Sequence, residues 1–303
     1  METVLKVTGV SKQYQKRLVL DKVNMTINEG DIYGFVGENG SGKTTIIRAI
    51  TGLIFPHEGD IEIYGVNSKS NEVLKQRRKM GAIVESPSIY KNMTAKENLL
   101  TQASLLNVTD LSKVQEVLNM VGLGDLYNDN KKAGNFSLGM RQRLGIAMTL
   151  LSDPEFIILD EPMNGLDPAG IVEVRELIVK LNREHNITFL ISSHILSELS
   201  LIATKYGIIS KGKMIKEITN EELKNECRRF MYLKTNDVDK LFEVLSEIIN
   251  EEDLQLRGNG VRVYGDVSLN ELFKVFNKHK IEIESINTVV TSIEEYFLKM
   301  VKA

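Results

Sequence analysis

Residues 31–50 read DIYGFVGENGSGKTTIIRAI, and this stretch decides the fold. Its first six residues are a short apolar run of strand type. A glycine-rich turn follows, and from about Lys43 the pattern is helical. A strand, a tight turn and a helix in that order gather backbone N–H groups around one point and aim a helix N-terminus at it. Gly37 to Thr44 fit the spacing G-x-x-x-x-G-K-[ST]. The glycines allow the tight turn, a lysine supplies a cation for β- and γ-phosphates, and a threonine hydroxyl suits Mg²⁺. Gly37, Asn39, Gly40, Ser41, Gly42, Lys43, Thr44 and Thr45 are therefore the expected phosphate-binding residues.

Downstream, residues 155–160 (EFIILD) form a continuous apolar run that ends in Asp160 and is followed by Glu161. Residues 187–192 (ITFLIS) are a second such run. Uninterrupted apolar strands belong to parallel sheets covered on both faces, and strand–helix alternation over the first 220 residues implies an α/β core. A carboxylate at the strand end, Asp160, suits Mg²⁺ opposite Thr44. The next, Glu161, suits a general base for water. Strands are expected at 4–10, 19–27, 31–36, 59–66 and 80–84, and helices across 94–122 and at 140–152, 169–184 and 195–204. A hairpin is expected around Lys211-Gly212.

The residues between and after these motifs narrow the reading. Phe136-Ser137-Leu138-Gly139-Met140-Arg141-Gln142-Arg143 stands about twenty residues before the acid pair and opens a helix. It resembles the signature motif of ABC-transporter ATPases. Asn164-Gly165-Leu166-Asp167 is similar to their D-loop, His194 to their switch histidine, and Tyr14 to the aromatic that stacks on adenine. The resemblance covers about 220 of the 303 residues. It implies an ABC-type P-loop ATPase core over 1–220, with a mostly parallel sheet, an antiparallel β subdomain and a helical subdomain at about 86–150. It also implies ATP and Mg²⁺, and a head-to-tail dimer in which Ser137, Gly139 and Asp167 of one copy meet the nucleotide of the other. Glu161 and His194 would carry the catalysis. The partners would be integral membrane permease subunits, docked near 94–130, with the chain cytoplasmic and peripheral on the inner membrane face.

Some positions depart from the family pattern. The usual glutamine after the strand at 80–84 (MGAIV) is Glu85 here, which keeps a metal-binding oxygen but adds negative charge beside the γ-phosphate. Leu138 and Met140 replace a glycine and a glutamine of the signature, and Asn164 replaces a serine of the D-loop. Glu85 together with Phe-Ser-Leu-Gly-Met resembles the bacterial branch that exports bacitracin or gives immunity to lantibiotics. The same Glu85 leaves open an alternative, a non-transport switch that binds ATP to recruit a soluble partner.

Composition bounds the rest. The 303 residues suggest two domains at about 150 residues each. Texture changes near residue 220, and 221–303 read as βαββαβ with a final helix at 291–301, a ferredoxin-like α+β accessory domain. Thirty-eight Lys plus Arg against 41 Asp plus Glu give a net charge of −3, which excludes a protein held on nucleic acid by charge alone. The lone Cys227 points to a reducing compartment. The opening METVLKVTGVSKQ is not expected to be a secretory signal. No apolar run nears the ~20 residues that cross a bilayer. His57, His185 and His279 lack metal-ligand spacing, and Lys75–Lys79 (KQRRK) reads as a solvated helix face.

Overall fold

The structure is a computed structural model that describes residues 2–265, 267–289 and 292–302. The chain divides into two compact units, Met1–Asn220 and Glu221–Ala303. Thr291, where the sequence begins the last helix, and Met1 lie outside the described residues.

In the first unit the strands are β1 (Thr3–Tyr14), β2 (Arg17–Asn28), β3 (Ile32–Val36), β4 (Glu58–Ile63), β5 (Val66–Asn67), β6 (Met80–Ile83), β7 (Phe156–Asp160), β8 (Thr188–Ser193), β9 (Lys205–Ser210) and β10 (Lys213–Thr219). They form two sheets. One is antiparallel, in the order β2-β1-β4-β5. The other runs β10-β9-β3-β8-β7-β6, with β6, β7, β8, β3 and β9 parallel and β10 an antiparallel edge. β3, β7 and β8 are buried at every residue, as their unbroken apolar character requires.

The helices of this unit are α1 (Lys43–Ile50), α2 (Val73–Arg77), α3 (Ala95–Leu105), α4 (Ser112–Met120), α5 (Leu138–Leu150), α6 (Pro168–His185) and α7 (Leu196–Ser200), with α8 (Asn220–Glu226) at the boundary. Ile46, Ile47 and Ile50 of α1 share one core with Leu5, Val7, Met25 and Ile61 of the antiparallel sheet and with Phe35 and Phe156 of the parallel one. The helix that leaves the glycine turn is thus held by both sheets. Between β6 and β7 the chain builds a helical block of α3, α4 and α5. Thr94 and Glu97 cap α3 reciprocally, the side chain of each accepting from the backbone of the other. α5 seats closely on the segment after β6. A Cβ at Gly145 would lie 2.5 Å from Cβ of Pro87, so only glycine allows the approach.

The second unit contains β11 (Phe230–Thr235), α9 (Val238–Ser246), β12 (Leu254–Arg257), β13 (Gly260–Tyr264), α10 (Leu269–His279), β14 (Ile283–Val289) and α11 (Ile293–Lys302). Its strands form an antiparallel sheet in the order β12-β13-β11-β14. Leu233, Val261 and Val263 bury one face against Leu241 and Leu245 of α9 and Leu272 and Phe276 of α10. The alternate residues take the other face, where the Arg262 guanidinium lies 4.5 Å from the Phe230 ring centroid.

Several boundaries differ from the sequence reading. β1 and β2 extend to a tight turn at Gln15-Lys16, because cross-strand pairing continues through the polar residues expected to form a loop. The strand expected at 59–66 breaks at Tyr64-Gly65, both with positive φ, and reverses into β5. The helix expected at 195–204 keeps only Leu196–Ser200. The basic run falls on α2 and just after it, with Lys79 paired to Glu155.

Candidate active site

β3 delivers the chain to Gly37, where space is minimal. A Cβ there would lie 2.5 Å from the backbone O of Ile209 and 2.5 Å from Oγ of Ser41. The loop passes so close to β9 that a side chain is excluded. Gly42, with φ 112°, is the N-cap of α1 and offers no side-chain cap. The first-turn amides of α1 are therefore available to an anion. Lys43 is 5% exposed. Its Nζ donates to the carbonyls of Gly37 (2.7 Å) and Glu38 (3.3 Å) and pairs with Oε1 of Glu161 at 3.1 Å. Ser41 Oγ is buried and finds no hydrogen-bond partner among the described residues. A buried hydroxyl without a partner beside uncapped amides is chemistry that phosphate oxygens satisfy. A nucleotide's phosphates thus fit this loop.

The acid pair stands across from it. Asp160 ends β7 and is 2% exposed. Its Oδ1 accepts from Oγ of Ser192 at 2.6 Å, and that same Oγ accepts from the backbone N–H of Glu161 at 2.8 Å. Glu161 has φ 50°, a left-handed conformation that a non-glycine residue keeps only when its surroundings hold it. The turn sends its carboxylate between two partners. Oε1 meets Lys43, and Oε2 lies 2.8 Å from Nδ1 of His194. An ionised carboxylate only accepts, so Nδ1 carries the proton. Lys43 and His194 are thus linked through the Glu161 carboxylate.

The predicted residues fall into three groups. Tyr14, Asn39, Gly40, Gly42, Lys43, Thr44, Thr45 and Glu161 line one cleft of about 390 Å³, joined by Arg17 and Asn164. Gly37, Ser41 and Asp160 are buried and His194 is hydrogen-bonded to Glu161; these four belong with the cleft through their neighbours but do not line it. Larger hollows exist, one of about 570 Å³ beside Glu155 and Thr188. The smaller cleft is the one at the carboxyl ends of the parallel strands, where α/β sheets bind ligands.

A second group lies at helix starts and lines no part of this cleft. Ser137 caps α5, its Oγ accepting from Met140 N at 3.1 Å. Asp167 caps α6, its Oδ1 accepting from Gly170 N at 3.1 Å. The two starts adjoin, for a Cβ at Gly139 would lie 3.6 Å from Cα of Gly170. The third group is Glu85 alone. Its carboxylate pairs with Arg48 of α1 at 2.5 Å and is absent from the cleft lining. Among the described residues no cluster of three or more His, Cys, Asp or Glu could hold a metal. Mg²⁺ does not demand one, since it binds through one or two carboxylates together with substrate phosphates.

Sequence reasoning missed two participants. Ser192 was visible only as the last residue of an apolar strand, and its role depends on the register that sets it opposite Asp160. Arg48 was one of many helix residues, and its partner is 37 positions away.

Comparison with known proteins agrees with this geometry. Residues 20–164 match the family model described as ABC transporter. The chain is 43% identical to the bacitracin transport ATP-binding protein BcrA of Bacillus licheniformis, over 99% of this chain and 98% of that one. It is 44% identical to the lantibiotic transport ATP-binding protein SrtF of Streptococcus pyogenes, over 71% of this chain and 90% of that one. Among solved structures, the dimeric post-hydrolysis state of the ATP-binding cassette MJ0796, bound to ADP and Pi, superposes with a TM-score of 0.64. That match is 26% identical and covers 71% of this chain and 98% of that one. With the phosphate loop, the acid pair and full-length similarity to ATP-binding subunits in agreement, this chain belongs to the ABC transporter family as one of its ATP-binding, ATP-hydrolysing subunits.

Proposed function

We propose that this subunit drives export of a peptide antibiotic of the bacitracin or lantibiotic type through a separate membrane permease. The observation that carries the enzymatic half is the Lys43–Glu161–His194 chain across the phosphate loop. The cargo rests on the relatives' transport of bacitracin and lantibiotics.

Lys43 and the loop amides hold the β- and γ-phosphates, and Tyr14 stacks on the adenine. Thr44 and Asp160 would hold Mg²⁺, with Ser192 fixing the Asp160 carboxylate. Bound there, Mg²⁺ would supply the positive charge that offsets what develops on the phosphate oxygens. Glu161 accepts the proton of the attacking water, and His194 holds the Glu161 carboxylate in position. Ser137, Gly139 and Asp167 act on the second copy's nucleotide, which closes a head-to-tail dimer. The start of α5, capped by Ser137 and with no acidic residue in its first turn, suits an anion.

The permease docks in the groove between the helical block and the core. This groove, about 540 Å³, is lined by Leu53, Val84, Pro87, Leu106 and Met148. Leu53 and Leu106 are exposed there, as expected of a surface that receives an amphipathic helix. Among the described residues no helix is long and apolar enough to cross a membrane. Attachment to the inner membrane face therefore runs through the permease, and the 221–303 unit, with its β12-β13-β11-β14 order, is a ferredoxin-like accessory domain.

The test is a pull-down of tagged protein from detergent-solubilised native membranes, combined with bacitracin and lantibiotic sensitivity of a deletion strain. A stoichiometric polytopic partner and a sensitised strain support the reading. Recovery of soluble proteins alone, with unchanged sensitivity, refutes it.

A further inference from the structure

Glu85 follows β6 with φ 67°, and the next residues turn tightly, Ser86 N donating to Val84 O at 2.9 Å. Its carboxylate is 63% exposed, yet it is held by Nη2 of Arg48, which is 39% exposed, at 2.5 Å. Arg48 lies on α1, five residues after Lys43, about 7.5 Å along the axis. On the other side, Val84 and Ser86 flank Glu85, while Thr51 and Leu53 follow Arg48, and all four line the groove beside the helical block. The pair therefore stands between the helix that begins at the phosphate loop and the segment that walls the groove.

A free carboxylate at this place has an electrostatic consequence. Its clasp springs from α1 about 7.5 Å along the axis from Lys43, comparable to one Debye length (~8 Å at physiological salt), so its charge is only partly screened from a triphosphate on the α1 N-terminus. An amide carries no such charge. Arg48 supplies the compensating charge.

We propose that Arg48 is a positioning residue that clasps Glu85, neutralises its charge and holds it out of the nucleotide cleft, tying the groove wall to α1. This rests on residues 37–44 being the phosphate site. It assigns Glu85 to an ion pair within the protein rather than to the metal. The clasp is exposed, so its effect is modest and salt-sensitive.

The experiment is a double-mutant cycle on the full chain, reading ATP binding in EDTA and, separately, KM and kcat for ATP with Mg²⁺. Arg48→Met is expected to weaken ATP binding about two- to five-fold, with the loss shrinking as salt rises from ~0.05 to ~0.5 M. KM rises in step while kcat changes little. In the Glu85→Gln background the same Arg48→Met change costs clearly less, since only the guanidinium's own attraction is lost and no carboxylate is freed. The charge-reversed pair, Arg48→Glu with Glu85→Arg, recovers part of the loss suffered by Arg48→Glu alone. Equal losses in both backgrounds, or none in either, overturn the clasp. A Lys43→Ala variant that still binds ATP as the wild type does would instead refute the phosphate site itself.

Discussion

Replacing Ser192 by alanine removes a single oxygen that serves two groups. Ser192 is fully buried and Asp160 is 2% exposed. Its Oγ donates to Oδ1 of Asp160 at 2.6 Å and accepts from the Glu161 N–H at 2.8 Å. The first is a bond to a charged acceptor, worth about 1.5–3 kcal/mol, and the second leaves an orphaned amide costing about 1–3 kcal/mol. Glu161 already holds a left-handed conformation, so its amide relaxes partly toward the cleft and recovers some of this. A net loss of about 3 kcal/mol follows. In a unit of about 220 residues each kcal/mol moves Tm by roughly 2–4 °C, giving a fall of about 6–12 °C. Calorimetry and urea titration read the stability, and phosphate release reads turnover. Turnover should fall as well, because the same oxygen fixes both acids. A variant destabilised by less than ~0.5 kcal/mol, with turnover within about two-fold of wild type, would refute the account.

Other perturbations have defined outcomes. Glu161→Gln keeps the shape but removes the charge shared by Lys43 and His194. Turnover should fall by about 10²-fold or more while ATP remains bound, giving an ATP-dependent dimer by light scattering; phosphate release at the wild-type rate would contradict the general-base role. Gly37→Ala places a Cβ 2.5 Å from the Ile209 carbonyl, so ATP binding should be lost. Gly40→Ala meets nothing within 4 Å and should cost only the strain of its positive φ, about 1 kcal/mol; similar ATP affinities for the two would exclude the steric explanation. Burial, and then the Glu217 carboxylate that accepts from its hydroxyl at 2.7 Å, push the Tyr33 phenol well above its ordinary value. A raised folded pKa means that its stability is fully present below about pH 10 and lost as pH climbs toward the folded value. Above pH ~10 this one proton should contribute a slope of about 1.4 kcal/mol per pH unit, and Tyr33→Phe should remove that increment in urea titrations at stepped pH.

The nucleotide loop was legible because its chemistry is local. Eight consecutive residues carry the turn, the cation and the hydroxyl, and neighbouring apolar runs announce the strands. Ser137 and Asp167 were legible only through the resemblance of their motifs to a known family; that each caps the helix it begins came from the structure. The contacts that order the site were not local. Ser192 reaches Asp160 only because β7 and β8 pair in one register, and Arg48 reaches Glu85 across 37 residues. Polar alternation in SKQYQKR hid the extension of β1 and β2, whose pairing is supplied by the partner strand rather than by side-chain pattern. α2 was short enough to read only as a charged face.

The bare contact between Gly145 and Pro87 gives α5 the mechanics of a rigid beam on a hard bearing. Two ordinary side chains in contact can swing to another rotamer and absorb a displacement. Here a glycine backbone bears against a proline ring, and neither has a torsion to yield. Interiors packed this tightly compress very little. Pressure applied at Pro87, on the wall of the groove, is therefore borne by the helix as a whole. Gly145 sits near the middle of α5 (Leu138–Leu150), eight residues from its N-cap Ser137, about 12 Å along the axis. A sideways push at this mid-helix bearing carries the Ser137 tip with it, with almost no slack.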